Sequence, residues 1–95
     1  MKFPPATIDG ADVLEWAWSD IPFGTVASID ATDSTTIHGL ALCRYPNSST
    51  IYRFSCDEHW ESVQDADYDS VAAAREALPK QYHNAPIVWH KREKV

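Results

Sequence analysis

From Thr50 to Cys56 the side chains alternate. Tyr52, Phe54 and Cys56 fall on one side of an extended chain, and Ile51, Arg53 and Ser55 on the other. Strict alternation in residues that favour strands marks a half-buried β-strand. A strand must find partners, so this stretch commits the chain to a sheet. Asp57, Glu58 and His59 interrupt the pattern and supply a turn. Residues 60–64 then read as a second strand, with Trp60 and Ser62 facing opposite to Glu61 and Val63.

Beyond Tyr68 the period changes. Val71, Ala74, Leu78 and Tyr82 lie at helical spacing, and Ala72, Ala73, Ala74 and Ala77 are strong helix formers. Asp69 or Ser70 can cap the first turn. Pro79 has no N–H to donate and disfavours helix at Leu78, so the spacing predicts a helix over about 70–78.

The flanking segments fit the same scheme. Residues 39–45 form a strand with Ala41, Cys43 and Tyr45 on one face and Leu40 and Leu42 on the other. Pro46-Asn47-Ser48-Ser49 turns it back into the strand at 51–56. Residues 25–30 read as an earlier strand, 30–36 as a polar loop and 87–90 as a last strand. Residues 9–18 carry two patterns. Asp12, Glu15 and Ser19 make a polar stripe at helical spacing with Asp9 as a cap, whereas Leu14, Trp16 and Trp18 alternate as in a strand and Asp9-Gly10 is a hairpin-turn dipeptide. The helix is the expectation adopted. Pro4 and Pro5 make residues 1–8 an irregular lead-in, and 91–95 form a basic tail. The expected architecture is α+β in a single domain over 1–95. It is a mainly antiparallel sheet of four to five strands, with the 70–78 helix packed on one face and an N-terminal helix over 9–18. Leu40, Leu42 and Ile51 then point to the other face, which is either covered by the N-terminal element or left as a dimer or partner patch. Monomer and homodimer both remain open.

Composition bounds the function. Four Trp, four Tyr and three Phe provide large pieces for a core. No apolar run approaches the ~20 residues of a membrane span, and the first residues lack the apolar block of a signal peptide, so a soluble cytoplasmic protein is expected. Cys43 and Cys56 fall on neighbouring strands and are read as reduced core residues rather than a bridge. The net charge of −6 opposes binding to nucleic acid. That charge is uneven. Asp57, Glu58, Glu61, Asp65, Asp67 and Asp69 fall in a segment without Lys or Arg, while Lys91, Arg92 and Lys94 gather near the end.

The run Phe54-Ser55-Cys56-Asp57, then Trp60-Glu61, then Asp69-Ser70-Val71 and a helix, resembles a pattern in small uncharacterised bacterial proteins. It spans about a third of the chain, and the resemblance implies no activity or ligand.

Three constellations remain. Asp65-x-Asp67-x-Asp69, followed by Glu76, has the oxygen-ligand spacing of a calcium loop. Ser70 stands where that loop needs Gly, and a strand precedes it where an EF-hand has a helix. Asp67 and Asp69 serve equally as a turn and as favourable charges at a helix start. Cys56-x-x-His59 is half of a zinc spacing or a nucleophile pair, without matching ligands, an orienting group or an oxyanion loop. No phosphate loop, nucleophile elbow, paired-carboxylate motif or cofactor fingerprint is present in the sequence, so no cofactor is expected. Two functions follow. The favoured one is an interaction protein presenting Asp57, Glu58, Glu61, Asp65, Asp67 and Asp69 to a basic protein, for which bacterial immunity proteins and antitoxins are an analogy only. The other is a small enzyme or ligand-binding protein using the Cys56–His59 region or the Asp65–Asp69 loop.

Overall fold

The computed structural model describes residues 1–27 and 33–92. Strands account for 45% of them and helix for 7%, which corrects the α+β expectation: the molecule is built on a curled antiparallel sheet, not on a sheet with a helical layer. The elements in chain order are β1 (Thr7–Ile8), β2 (Ala11–Trp18), β3 (Gly24–Ala27), β4 (Ser34–Ile37), β5 (Gly39–Arg44), β6 (Ile51–Cys56), β7 (Ser62–Tyr68), α1 (Val71–Glu76) and β8 (His90–Lys91). The main sheet runs β1-β2-β5-β6-β7, and β8 also pairs with β2; β3 and β4 form a second, two-stranded sheet.

The segment expected to be an N-terminal helix is strand β2. Its turn is Asp9-Gly10, both at positive φ, the geometry a two-residue hairpin between right-twisted strands requires. The lead-in therefore ends early, because Thr7 and Ile8 pair with Asp12 and Ala11. The helical pattern in 9–18 has a physical source. Against β5 the register slips between Val13, opposite Cys43, and Glu15, opposite Leu42. That bulge lets Val13 and Trp16, three residues apart, join one core cluster. Leu14 instead packs with the cluster on the opposite face.

The two faces of the sheet carry separate cores. One holds Val13, Trp16, Ala41, Cys43, Phe54, Cys56 and Trp60, with Tyr45 and Tyr52 at its margin. The other holds Ala17, Leu40, Phe23, Val26, Ile37 and Tyr82, continuing into Leu42, Ile51 and Ala74. Leu40, Leu42 and Ile51 are buried, so they form neither an open patch nor a surface capped by an N-terminal helix. They are covered by the β3–β4 sheet, by α1 and by the irregular segment 77–89.

β4 falls where a polar loop was expected at 30–36. Ser34, Thr35 and Thr36 carry little apolar signal, yet Thr36 pairs with Thr25 and fully buried Ile37 pairs with Gly24. Gly24 is needed there because a Cβ would stand 2.6 Å from the Gln81 carbonyl oxygen and 2.9 Å from the Tyr82 ring. Residues 28–30 of the strand expected at 25–30 and residues 93–95 of the tail lie outside the described residues. The helix is shorter than expected. Ser70 caps it, its Oγ accepting from the Ala73 N–H at 3.1 Å, but it ends at Glu76. Tyr82 reaches the core after the chain has left the helix, donating its hydroxyl to Ser55 Oγ at 2.9 Å. The last strand is two residues, His90 and Lys91, placed against Trp16 and Glu15. Among the described residues no helix is long and apolar enough to cross a membrane.

Two charged side chains lie in the second face. Glu15 is buried, and Arg75 of α1 donates to it through Nε at 3.1 Å and through Nη2 to both carboxylate oxygens. Arg53 is also buried. Its Nη1 donates to the Tyr68 hydroxyl at 3.1 Å, its guanidinium lies 5.9 Å from the Tyr82 ring centre, and its Nε has no partner.

Candidate functional site: an acidic sheet edge

β7 ends the strand order, so one side of it pairs with β6 and the other faces outward. It is also the most exposed of the long strands. Asp65 stands opposite Phe54 and Asp67 opposite Tyr52. Directly opposed residues in an antiparallel pair share a face, so both carboxylates project on the aromatic side of the sheet. They are two residues apart, hence about 7 Å from each other along the strand. Glu61 precedes β7 and Asp69 follows it, both exposed. Arg75–Glu15 and His59–Glu58 are ion pairs, whereas Glu61, Asp65, Asp67 and Asp69 have no paired cation among the described residues.

The remaining members of the acidic run differ in role. Asp57 holds the β6–β7 turn, its Oδ1 accepting from the His59 N–H at 2.8 Å and the Glu61 N–H at 3.0 Å. Glu58 sits exposed at the turn's tip, 3.6 Å from the His59 imidazole. The second strand begins at Ser62 rather than at residue 60, because Trp60 takes a left-handed backbone at φ 62° and turns its ring into the core. A register slip between Ser55 and Cys56 absorbs the offset.

The alternative sites look different in place. The Asp65–Asp69 stretch is not a loop: Asp65 and Asp67 belong to a strand, whose alternate carboxylates run parallel rather than converging on one ion. Glu76 is the last residue of α1. Among the described residues no group of three or more His, Cys, Asp or Glu side chains gathers as metal ligands would. Cys56 is fully buried, whereas the His59 side chain is 68% exposed; the structure does not bring them together. Cys43 and Cys56 are both free. Cys43 pairs with Tyr52 and Cys56 with Gly39, four positions further along the ladder.

Burial, reinforced by Asp12 and Asp9, pushes the Cys43 thiol from its ordinary 9.0 up to about 12. Burial, with smaller contributions from Cys43, Asp57 and Asp9, pushes Cys56 up as well. A thiol held protonated is a poor nucleophile and a poor metal ligand. Both thiols should react with a disulfide reagent at pH 8 roughly 100-fold or more slowly in the native chain than in denaturant. The same shifts fix a pH dependence. The folded state holds these protons above the value at which the unfolded chain releases them. Their contribution is therefore complete below about pH 8.5 and lost as pH rises toward 12. Denaturant titrations at pH 8 and pH 10.5 check the sign: stability should be lower at the higher pH. Fast labelling of the native thiols would show that the core around them opens readily.

No family model, curated protein or solved structure matches this chain. The functional reading therefore rests on the molecule's own geometry. Arg53 is one feature the sequence concealed: alternation placed it on a face without showing that the face would be buried. Another is the gathering of Phe3, Trp16 and His90 beside Lys91 and Arg92, which only the pairing of β8 with β2 creates.

Proposed function

We propose that this chain is a protein-interaction module whose edge strand β7 takes up an extended basic segment of a partner protein. The observation that carries this is an open strand edge flanked by four carboxylates without paired cations. An exposed edge offers unpaired N–H and C=O groups to an incoming strand, and its side chains set the choice of partner. Asp65 and Asp67 repeat every second residue, matching Lys or Arg at alternate positions of an added strand. The same charges oppose pairing of β7 with the β7 of a second copy, since like charges placed opposite each other destabilise a ladder. They also repel nucleic acid and speed encounter with a cationic protein.

A decapeptide alternating Lys and Thr is a defined probe for this reading, with an alternating Glu and Thr peptide as control. The lysine peptide should bind with an association rate that falls as salt is raised. Replacing Glu58, Glu61, Asp65 and Asp67 together with their amides should slow association several-fold at low salt and leave the thermal midpoint nearly unchanged, because these side chains are exposed. Identical association of the variant at every salt concentration would reduce the acidic run to a solvated surface.

A further inference from the structure

We infer that a cavity of about 470 Å³ where residues 1–4 meet residues 90–92, lined by Phe3, Pro4, Trp16, His90, Lys91 and Arg92, is a binding site for a small planar aromatic anion. The site arises because β1 and β8 both pair with β2. The Val13 N–H there donates to the Ala6 carbonyl and the Leu14 carbonyl accepts from the Arg92 N–H, so β1 and β8 meet along one edge of β2. Arg92 Nη1 donates to the Ala6 carbonyl at 2.9 Å and ties the two segments together.

The walls are mostly aromatic. Phe3 meets Trp16 edge to face with centroids 5.1 Å apart, and His90 lies 4.6 Å from Trp16 at a 32° tilt. Phe3 is 68% exposed, an unfavourable position for a phenyl ring that buries little else. An aromatic guest laid against the open side of Phe3 would remove that surface from water. The electrostatics point to an anion. In a chain of net charge −6, Lys91 and Arg92 are adjacent cations on the rim, and among the described residues no carboxylate lines the cavity. The volume falls within the range of small-molecule sites. This site lies on β2 and β8, away from the β7 edge, and stands independently of the interaction proposed there.

Two-dimensional amide NMR with 4-hydroxybenzoate as probe tests the assignment, with 4-hydroxybenzyl alcohol and acetate as the neutral-ring and ringless comparisons. Saturable shifts confined to the Trp16 indole N–H and the backbone of residues 3 and 90–92, with a midpoint below about 1 mM, are expected. The alcohol, and separately the Lys91→Gln and Phe3→Ala variants, should each weaken binding at least about fivefold, and both side chains are exposed, so the fold should survive either change. Acetate should produce no saturable shift. The inference is overturned by an absence of saturable shifts in the folded wild type, by equal binding of acid and alcohol, by equivalent shifts with acetate, or by unchanged binding in both variants.

Discussion

Replacing Trp60 with alanine is expected to destabilise the fold by about 3–5 kcal/mol, the range for large aromatic side chains removed from a core. The ring fills the centre of the aromatic face. It meets Trp16 edge to face at 6.3 Å and lies tilted against Trp18 at 5.5 Å. It also lies over Gly39, where a Cβ would stand 2.5 Å from the indole. Truncation therefore opens a void above Gly39 and beside Cys56. Two features sharpen the test. The indole N–H is buried without an acceptor, so Trp60→Phe, which keeps most of the ring and removes the orphan donor, should cost well under half as much. The left-handed backbone at φ 62° costs a residue with a Cβ roughly 1–2 kcal/mol, so Trp60→Gly should be no worse than Trp60→Ala, against the usual order. From the other side of the contact, Gly39→Ala should cost about 1–3 kcal/mol by overpacking. Urea titrations of the four variants read all of this directly. Wild-type stability for Trp60→Ala would mean that the ring is not a core element.

The second large effect is expected at Arg75. A six-residue helix does not hold itself together in water, and α1 buries only Ala74 completely. Its tether is the Arg75–Glu15 pair, with the Glu15 side chain 9% exposed and that of Arg75 38% exposed. Arg75→Met leaves a carboxylate in the core without its cation. A fully buried pair broken this way loses about 3–5 kcal/mol; water reaching Arg75 reduces the expectation to about 2–3 kcal/mol. Removing both charges together, Glu15→Met with Arg75→Met, should recover most of that loss, because the penalty lies in the stranded charge rather than in the missing attraction. A loss below about 0.5 kcal/mol for Arg75→Met alone would show that solvent screens the pair and that packing alone docks α1.

Legibility in the sequence followed local chemistry and failed where pairing decided the outcome. The β5–β6 hairpin could be read because β6 alternates in strand-favouring residues, β5 is a short apolar run, and the Pro46–Ser49 turn separates them; Asn47 takes a positive φ there, as turn asparagines do. The Ser70 cap was equally visible. The β2 strand was hidden by its bulge, which sets Val13 and Trp16 on one face at a spacing a helix also produces. Asp9-Gly10 was the truer signal, since two positive-φ positions in a row suit a hairpin and not a helix start. β4 was hidden because Ser34, Thr35 and Thr36 look like loop chemistry, and Ile37 alone reveals the buried side. The long helix was an accident of spacing: Tyr82 follows Val71 and Ala74 in period but enters the core from irregular chain beyond Pro79. The acidic run was plain from composition. That it borders an open sheet edge was not, because edge position depends on which strands pair across the whole chain.

The edge is also where the functional account is most exposed to test. Backbone amide exchange of β7, followed residue by residue over 62–68 with the alternating Lys and Thr decapeptide, measures strand addition directly. Slowed exchange is expected at the β7 amides that face away from β6, lost with the glutamate peptide and weakened by salt. Unchanged exchange along β7 while the lysine peptide is bound, or protection confined to another surface, would contradict strand addition.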